Sequence, residues 1–238
     1  MARRPVPDEI FNGRLRDAFL LDLEVVAVDD QAPHVRAILT RSPDLVGFEH
    51  EPGQDVMFDF ATEERLVRRR YTIRRCDPFA GTAEFQVEVH SGAGPATAWA
   101  LQVEPGARID AIGPRGKITL RSDASAHYFI ADDSAMPAAF AMLEALPPQA
   151  PAAALLVTPR GAGSRPGPHS AAALTWLEEP ALAEALDLPS GAAVYALGEL
   201  GLVRRVKELL AQRSFPEGLL SAKAYWRRDQ PNAEHGEP

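Results

Sequence analysis

The segment Arg69-Arg70-Tyr71-Thr72 sets a guanidinium beside a phenol at strand spacing. Alternate side chains of a strand share a face, so Arg69 and Tyr71 point one way and Arg70, Thr72 and Arg74 the other. A guanidinium can fork onto a phosphate while the phenol packs against a flat ring, and Thr72 adds an N–H and a small hydroxyl; the set suits a flavin nucleotide. An exposed basic strand beside a turn, with Tyr71 half buried, would show the same four residues. A second segment, His90-Ser91-Gly92-Ala93-Gly94-Pro95-Ala96-Thr97-Ala98-Trp99-Ala100, follows an alternating run and passes through two glycines into a helix opened by Pro95. Glycines admit a ligand close to the backbone, and a helix N-terminus offers free N–H groups to a pyrophosphate. Thr97 adds a hydroxyl in that first turn. A plain glycine loop with Trp99 filling the core is the competing account.

The second half lacks G-x-G-x-x-G, the common dinucleotide fingerprint. It carries instead Ala131-Asp132-Asp133-Ser134-Ala135-Met136-Pro137-Ala138, which joins a strand to a helix, and Ala196-Leu197-Gly198-Glu199, which does the same further on. Acids here can cap their helices by complementing the dipole. Near the end, Lys223-Ala224-Tyr225-Trp226-Arg227-Arg228 sets adjacent aromatics among cations, able to cover a ring and hold an anion, or to fasten a last strand. No metal site is predicted: Cys76 is the single cysteine, and His90 has no second ligand at suitable spacing.

The elements that must position these residues follow from hydrophobic period. Val56, Phe58 and Phe60 alternate with Asp55 and Asp59, and Phe85, Val87 and Val89 alternate likewise; Leu21–Val28 and Val35–Thr40 read as two further strands. With turn residues between them (Pro33, Pro43, Pro52-Gly53, Pro78, Gly81, Pro105-Gly106), residues 15 to about 121 read as a small antiparallel β-barrel. Beyond Arg121 the pattern changes. Tyr128–Ala131, Ala153–Thr158 and Ala193–Leu197 read as buried strands, Met136–Leu146 as an alanine-rich helix, and Leu202–Leu210 as an amphipathic one. Strands alternating with helices predict an α/β domain with a parallel sheet. Arg160–His169, rich in Gly, Pro and Ser, reads as a surface loop. Two domains are expected, 1–122 and 123–238. That plan is shared by flavin reductases with FAD on the barrel and a nicotinamide nucleotide on the α/β half.

The paired segments RRYTIR and VEVHSGAGPATAWA resemble those of the siderophore-interacting, or ferric-siderophore reductase, family, within the ferredoxin-reductase-like superfamily. Arg69, Tyr71 and Thr72 match its R-x-Y-[ST] signature, and Gly113-Pro114-Arg115-Gly116 resembles the turn that closes its barrel. The loop at Asp132 resembles its G-D-E-[TS]-A-x-P-A element, with Ala131 and Asp133 as departures; Ala196–Glu199 resembles its A-x-G-E. The tail resembles G-Y-W-R-x-G, with Ala224 and Asp229 in place of both glycines. The resemblance implies that Arg69, Tyr71 and Thr72 grip the flavin, with Thr72 near N5. Val89 and His90 would meet its ring or ribityl edge, and Gly94, Pro95, Ala96 and Thr97 its diphosphate. Two acids would repel a pyrophosphate, so Asp132 and Ser134 are expected to edge the flavin or nicotinamide, with Glu199 facing the nicotinamide or ribose and Trp226 covering the ring. Lys223, Arg227 and Arg228 would draw in an anionic ferric chelate. The implied activity is transfer of hydride from NADPH or NADH to FAD and of electrons onward to chelated Fe(III).

Bulk properties bound this reading. With 46% apolar residues, 24% charged residues and net charge -8, the chain has globular composition and lacks the basic face that nucleic acid requires. No stretch approaches the roughly 18 unbroken apolar residues of a membrane span, and Met1–Arg14 lacks a signal peptide's apolar run, so the cytoplasm is the expected compartment. A general NAD(P)H:flavin or quinone reductase on the same fold, and a siderophore carrier without turnover, are the alternatives. Oligomeric state is not legible.

Overall fold

The computed structural model describes residues 19–61, 66–89, 94–189 and 191–228. The chain forms two compact units, Met1–Thr119 and Leu120–Pro238.

The first unit contains β1 (Leu20–Ala32), β2 (Val35–Arg41), β3 (Asp55–Ala61), β4 (Leu66–Thr72), β5 (Arg75–Asp77), β6 (Thr82–Glu88), helix α1 (Pro95–Gln102) and β7 (Arg108–Arg115). All strand pairs are antiparallel, in the order β4-β3-β7-β1-β2-β6-β5. The two ends of that order, β4 and β5, are separated in sequence by only Ile73 and Arg74. Consecutive Cα atoms lie 3.8 Å apart, so the sheet must roll until its edges meet. The seam is visible in the backbone: Ile73 N–H donates to Gln54 O before β3, and Arg74 N–H to Glu84 O on β6. The result is the expected barrel. Leu21, Leu23, Val56, Phe58, Phe60, Phe85 and Ile109 fill it, following the period-two pattern.

Two details depart from the sequence reading. The outer side of β3 is not solvent: Asp55 and Met57 are each only 5% exposed, and Met57 packs with Ile112, Phe19 and Leu20. And Gly113-Pro114-Arg115 is not a turn but the end of β7; the chain turns at Gly116, with φ +100°. Gly113 is there for space, since a Cβ would lie 2.6 Å from Val56 Cγ1.

The second unit contains β8 (Ala126–Asp132), α2 (Met136–Ala145), β9 (Ala152–Val157), β10 (Ala173–Leu177), the short α3 (Leu182–Ala185), β11 (Ala192–Glu199), α4 (Leu200–Gln212) and β12 (Leu220–Trp226). Its five strands are all parallel, in the order β10-β9-β8-β11-β12. The chain builds outward from β8 to β10 and then returns to β8's other side, so the order reverses between β8 and β11. Helix α4 buries Leu202, Val203, Val206, Leu209 and Leu210, the stripe its spacing predicts. Strand β10 was not foreseen, and β12 only as the last strand that the aromatic tail was read as able to fasten. Both are edge strands, half buried at most of their positions, so neither a solid apolar run nor a clean alternation marks them.

A column of stacked rings crosses β8 and β11: Tyr195 lies 4.7 Å from Phe129 and 6.1 Å from His127, with interplanar angles of 11° and 13°. Tyr195 Oη accepts from the Arg121 N–H at 2.9 Å and lies 3.3 Å from His127 Nδ1. Burial pushes the His127 imidazole below its ordinary value, and burial does the same to His50. The unfolded chain therefore takes up these protons first, at about pH 6.5, and stability present above that value is lost as pH falls below it. These two groups are expected to lower the thermal midpoint between about pH 7.5 and about pH 5.5, against the raised pKa of Asp132, which acts in the opposite sense. His127→Phe should flatten that slope; a slope equal to wild type would remove His127 from the effect.

Candidate functional site

In the first unit, β3–β4 register sets Arg69 opposite Phe58 and Tyr71 opposite Val56, on the face that carries the barrel core. The Tyr71 ring lies 5.6 Å from Phe58 and 6.5 Å from Phe60. Trp99, on α1, lies 5.5 Å from Phe60 and 6.3 Å from Phe58. The two segments that the sequence singled out thus share one aromatic bed, which fixes β4 and α1 beside each other. Burial raises the Tyr71 phenol far above its usual value, and the Arg69 charge opposes this only in part, so the ring stays neutral. Arg69 Nη1 donates to Arg68 O at 2.8 Å. Thr72 lies opposite Asp55, buried on the other face from Tyr71.

Val89 follows β6, and its N–H donates to His34 O at 2.8 Å. His90 lies outside the described residues, as do 91–93. From Gly94 the chain enters α1 with Pro95 at its first position, and Ala96 and Thr97 are buried. The Ala98 N–H is the first to find an intrahelical acceptor, Gly94 O. Those of Ala96 and Thr97 have none within the helix, and glycine at the N-cap has no side chain to serve them. Gly94 sits at an ordinary φ of -74°, and a Cβ there would meet no protein atom within 4 Å. Neither conformation nor protein packing demands glycine at this point.

In the second unit, Asp132, Ser134, Glu199 and Trp226 come together at the C-terminal ends of β8, β11 and β12. Ser134 donates to Asp132 Oδ1 through both its N–H (2.9 Å) and its Oγ (2.6 Å), and Ala135 N–H joins at 3.2 Å. Asp132 Oδ2 accepts from Glu199 N–H at 2.7 Å and Trp226 Nε1 at 2.9 Å. Burial raises the Asp132 pKa against the pull of these donors. Glu199 is the N-cap of α4: its Oε2 accepts from the N–H groups of Gly201 and Leu202, and its Oε1 from Arg228 N–H at 3.1 Å. Trp226 reaches Asp132 because β12 slips one residue against β11, with Gly198 opposite Ala224 but Glu199 opposite Trp226. Such a bulge re-aims the side chain that follows it.

The expected acidic cap of α2 needs correction: its N-cap is Ala135, without a side-chain bond, and Asp132 closes the preceding turn instead. The sequence also missed the partners of Asp133. Its carboxylate is buried among Thr158 Oγ1 (2.8 Å), Arg160 and Arg165 (3.3 Å). Arg165 is only 4% exposed, so the Gly/Pro/Ser segment read as a surface loop is tied inward at this point. Two adjacent acids ending a buried strand were the available signal that cations must lie near. Lys223 Nζ sits over the Tyr225 ring, 5.4 Å from its centroid, and Arg227 and Arg228 are exposed just beyond. Burial first, and Asp77 second, push the Cys76 thiol up to about 11, which leaves little thiolate near neutral pH. Among the described residues no group of three His, Cys, Asp or Glu side chains is placed to hold a metal, and no helix is long and apolar enough to cross a membrane.

Residues 124–229 match the family model described as siderophore-interacting protein, and residues 26–118 the one described as siderophore-interacting FAD-binding domain. The chain is 28% identical over 235 residues to the mycobactin import ATP-binding/permease protein IrtA of Mycobacterium tuberculosis, a match covering 92% of this chain and 27% of that protein. It is 35% identical over 88 residues to the ferric vibriobactin reductase ViuB of Vibrio cholerae, covering 37% of this chain and 32% of that one. The matches thus span about a quarter to a third of these relatives' length. Among solved structures, a siderophore utilization protein from T. fusca superposes with a TM-score of 0.77 at 26% identity, covering 91% of this chain and 95% of that one.

Gly198, at φ +131°, is held by the Asp132 carboxylate: a Cβ would lie 2.5 Å from Asp132 Cγ. Gly198→Ala is expected to cost about 1–3 kcal/mol in urea denaturation. The cost should shrink in an Asp132→Ala background. An equal cost in both would mean that the backbone angle alone demands the glycine.

Proposed function

Because the chain belongs to the siderophore-interacting protein family, we propose that it is an FAD-containing, NAD(P)H-dependent reductase of ferric siderophores or similar ferric chelates. One observation carries the reading: Arg69 and Tyr71 share an aromatic bed with α1, whose first turn has N–H groups without an acceptor in the helix and an N-cap glycine that the fold itself does not require. These residues fit FAD. Residues 1–122 would hold it, with Arg69 on phosphate, Tyr71 along the ring and the Thr72 N–H near N5. Val89 and His90 would edge the ring or ribityl chain, and Gly94, Pro95, Ala96 and Thr97 would receive the diphosphate. When bound, FAD supplies the conversion of a two-electron hydride donor into the single electrons that Fe(III) accepts.

Residues 123–238 would receive the nicotinamide nucleotide. In an open parallel sheet, ligands bind outside the strand C-terminal ends where strand order reverses, here between β8 and β11. Asp132, Ser134 and Glu199 stand at that point, but their side chains are already engaged: Ser134 Oγ on Asp132, Asp132 also on Glu199 N–H and Trp226 Nε1, and Glu199 on the N–H groups that open α4. Their role is therefore to shape the crevice floor, with Trp226 at its rim. Lys223, Arg227 and Arg228 offer positive charge to an anionic chelate on a chain of net charge -8.

Purified protein is expected to show flavin absorbance that bleaches on addition of NADPH or NADH, and to produce Fe(II) from a ferric chelate under a ferrous trap. Free-flavin or quinone reduction without ferric-chelate reduction would favour a general reductase; bound chelate without turnover would favour a carrier. Arg69→Ala should weaken FAD binding at least about tenfold, as loss of a hydrogen bond to a charged group implies. Wild-type flavin content after gel filtration would take Arg69 out of the site. Lys223→Glu with Arg228→Glu should raise KM for an anionic chelate, and less so at high salt, while sparing a neutral one. Equal losses on both chelates would make the tail structural.

A further inference from the structure

The two ends of α1 are treated in opposite ways. Its N-terminus has no capping side chain, and its own last turn contains no basic residue. The cation that a helix C-terminus favours arrives instead from β2, 64 residues away in sequence: Arg36 Nη1 donates to Ala100 O and Leu101 O, each at 2.7 Å. Both carbonyls lie in the last turn, where intrahelical donors run out. The guanidinium also has a carboxylate of β1 beside it, with Nε 3.2 Å from Asp30 Oδ1 as an ion pair without a hydrogen bond; the arginine side chain is 19% exposed and that of Asp30 74%. An eight-residue helix cannot hold its own direction in water, so its aim depends on tethers. Trp99 and the buried faces of Ala96 and Ala100 fix one side against the barrel; Arg36 fixes the far end.

We propose that Arg36 is a positioning residue for FAD: it holds α1 by its C-terminal carbonyls, so that the free N–H groups of Ala96 and Thr97 stay aimed at the diphosphate. It touches no part of the cofactor and acts through the helix. Its charge at the C-terminal end also supports the dipole whose positive end faces the phosphates. This rests on the flavin reading above. A residue that merely stabilised the barrel would affect every flavin alike, whereas a residue that aims α1 matters only to a flavin carrying the diphosphate.

The test titrates FAD and riboflavin separately into flavin-free wild type, Arg36→Ala and Arg36→Lys, following quenching of flavin fluorescence, with thermal midpoints measured alongside. Arg36→Ala should weaken FAD about tenfold and leave riboflavin within about twofold. Arg36→Lys, which keeps the charge, should recover part of the loss. If Arg36→Ala does not fold, Asp30→Ala, which frees the guanidinium from β1, should show the same selectivity in weaker form. Equal losses for the two flavins, or no loss for either, overturn the proposal. Failure of wild type to bind FAD at all overturns the flavin reading itself, and the assignment of Arg36 falls with it.

Discussion

Five donors from three parts of the chain converge on the Asp132 carboxylate: the N–H and Oγ of Ser134, and the N–H groups of Ala135 and Glu199 together with Trp226 Nε1. A carboxylate offers about four lone-pair sites over its two oxygens, so these donors take up its accepting capacity. Burial works against ionisation, and the bonds from Ser134 Oγ, Trp226 Nε1 and the N–H groups of Glu199 and Ala135 work for it. Removing the acceptor would leave several N–H groups facing one another, at about 1–3 kcal/mol for each one buried without a partner. The arrangement constrains its neighbours in turn. Position 198 must be glycine-like because the carboxylate stands where a Cβ would go. Strand β12 must slip so that Trp226, and not Tyr225, pairs with Glu199. One side chain therefore determines how β8, β11 and β12 end.

The first unit reaches its geometry by a different constraint. Only two residues separate the strands at opposite ends of the sheet order, so closure is compulsory, and β4 is carried round to the seam. At that place the inward side chains of β4 are Arg69 and Tyr71. Helix α1 covers the same region, because Trp99 needs an apolar bed and Phe58 and Phe60 provide it. Two motifs 18 residues apart, counted from Tyr71 to Val89, are brought together by core packing.

This explains what could be read in advance. The β3 and β6 strands, the buried β8, β9 and β11, and the amphipathic α4 were legible because each obeys a single period. The edge strands β10 and β12 obey none, since an edge strand is partly wet on both faces. The residue types of the site were legible, and so was their neighbourhood. Their partners were not. Nothing local couples Asp133 to Arg165, 32 residues on, or Asp132 to Trp226, 94 residues on; only strand order makes them neighbours. Arg36 escaped notice for the same reason, because its partners on α1 are 64 and 65 residues away.

The helix N-termini of the two units carry a further distinction. An open helix N-terminus attracts phosphate, and one already facing a carboxylate does not. Helix α1 begins open, at a glycine. Helix α4 is closed by the Glu199 carboxylate on Gly201 and Leu202, and the approach to α2 is occupied by Asp132 on Ser134 and Ala135. The absence of G-x-G-x-x-G from the second half is thus more than a missing signature. In dinucleotide folds that use it, the pyrophosphate rests on the helix that follows the first strand, whereas here the N–H groups leading into that helix are already bonded to the Asp132 carboxylate. A phosphate approaching either place would find the nearest backbone N–H groups already taken by a side-chain carboxylate.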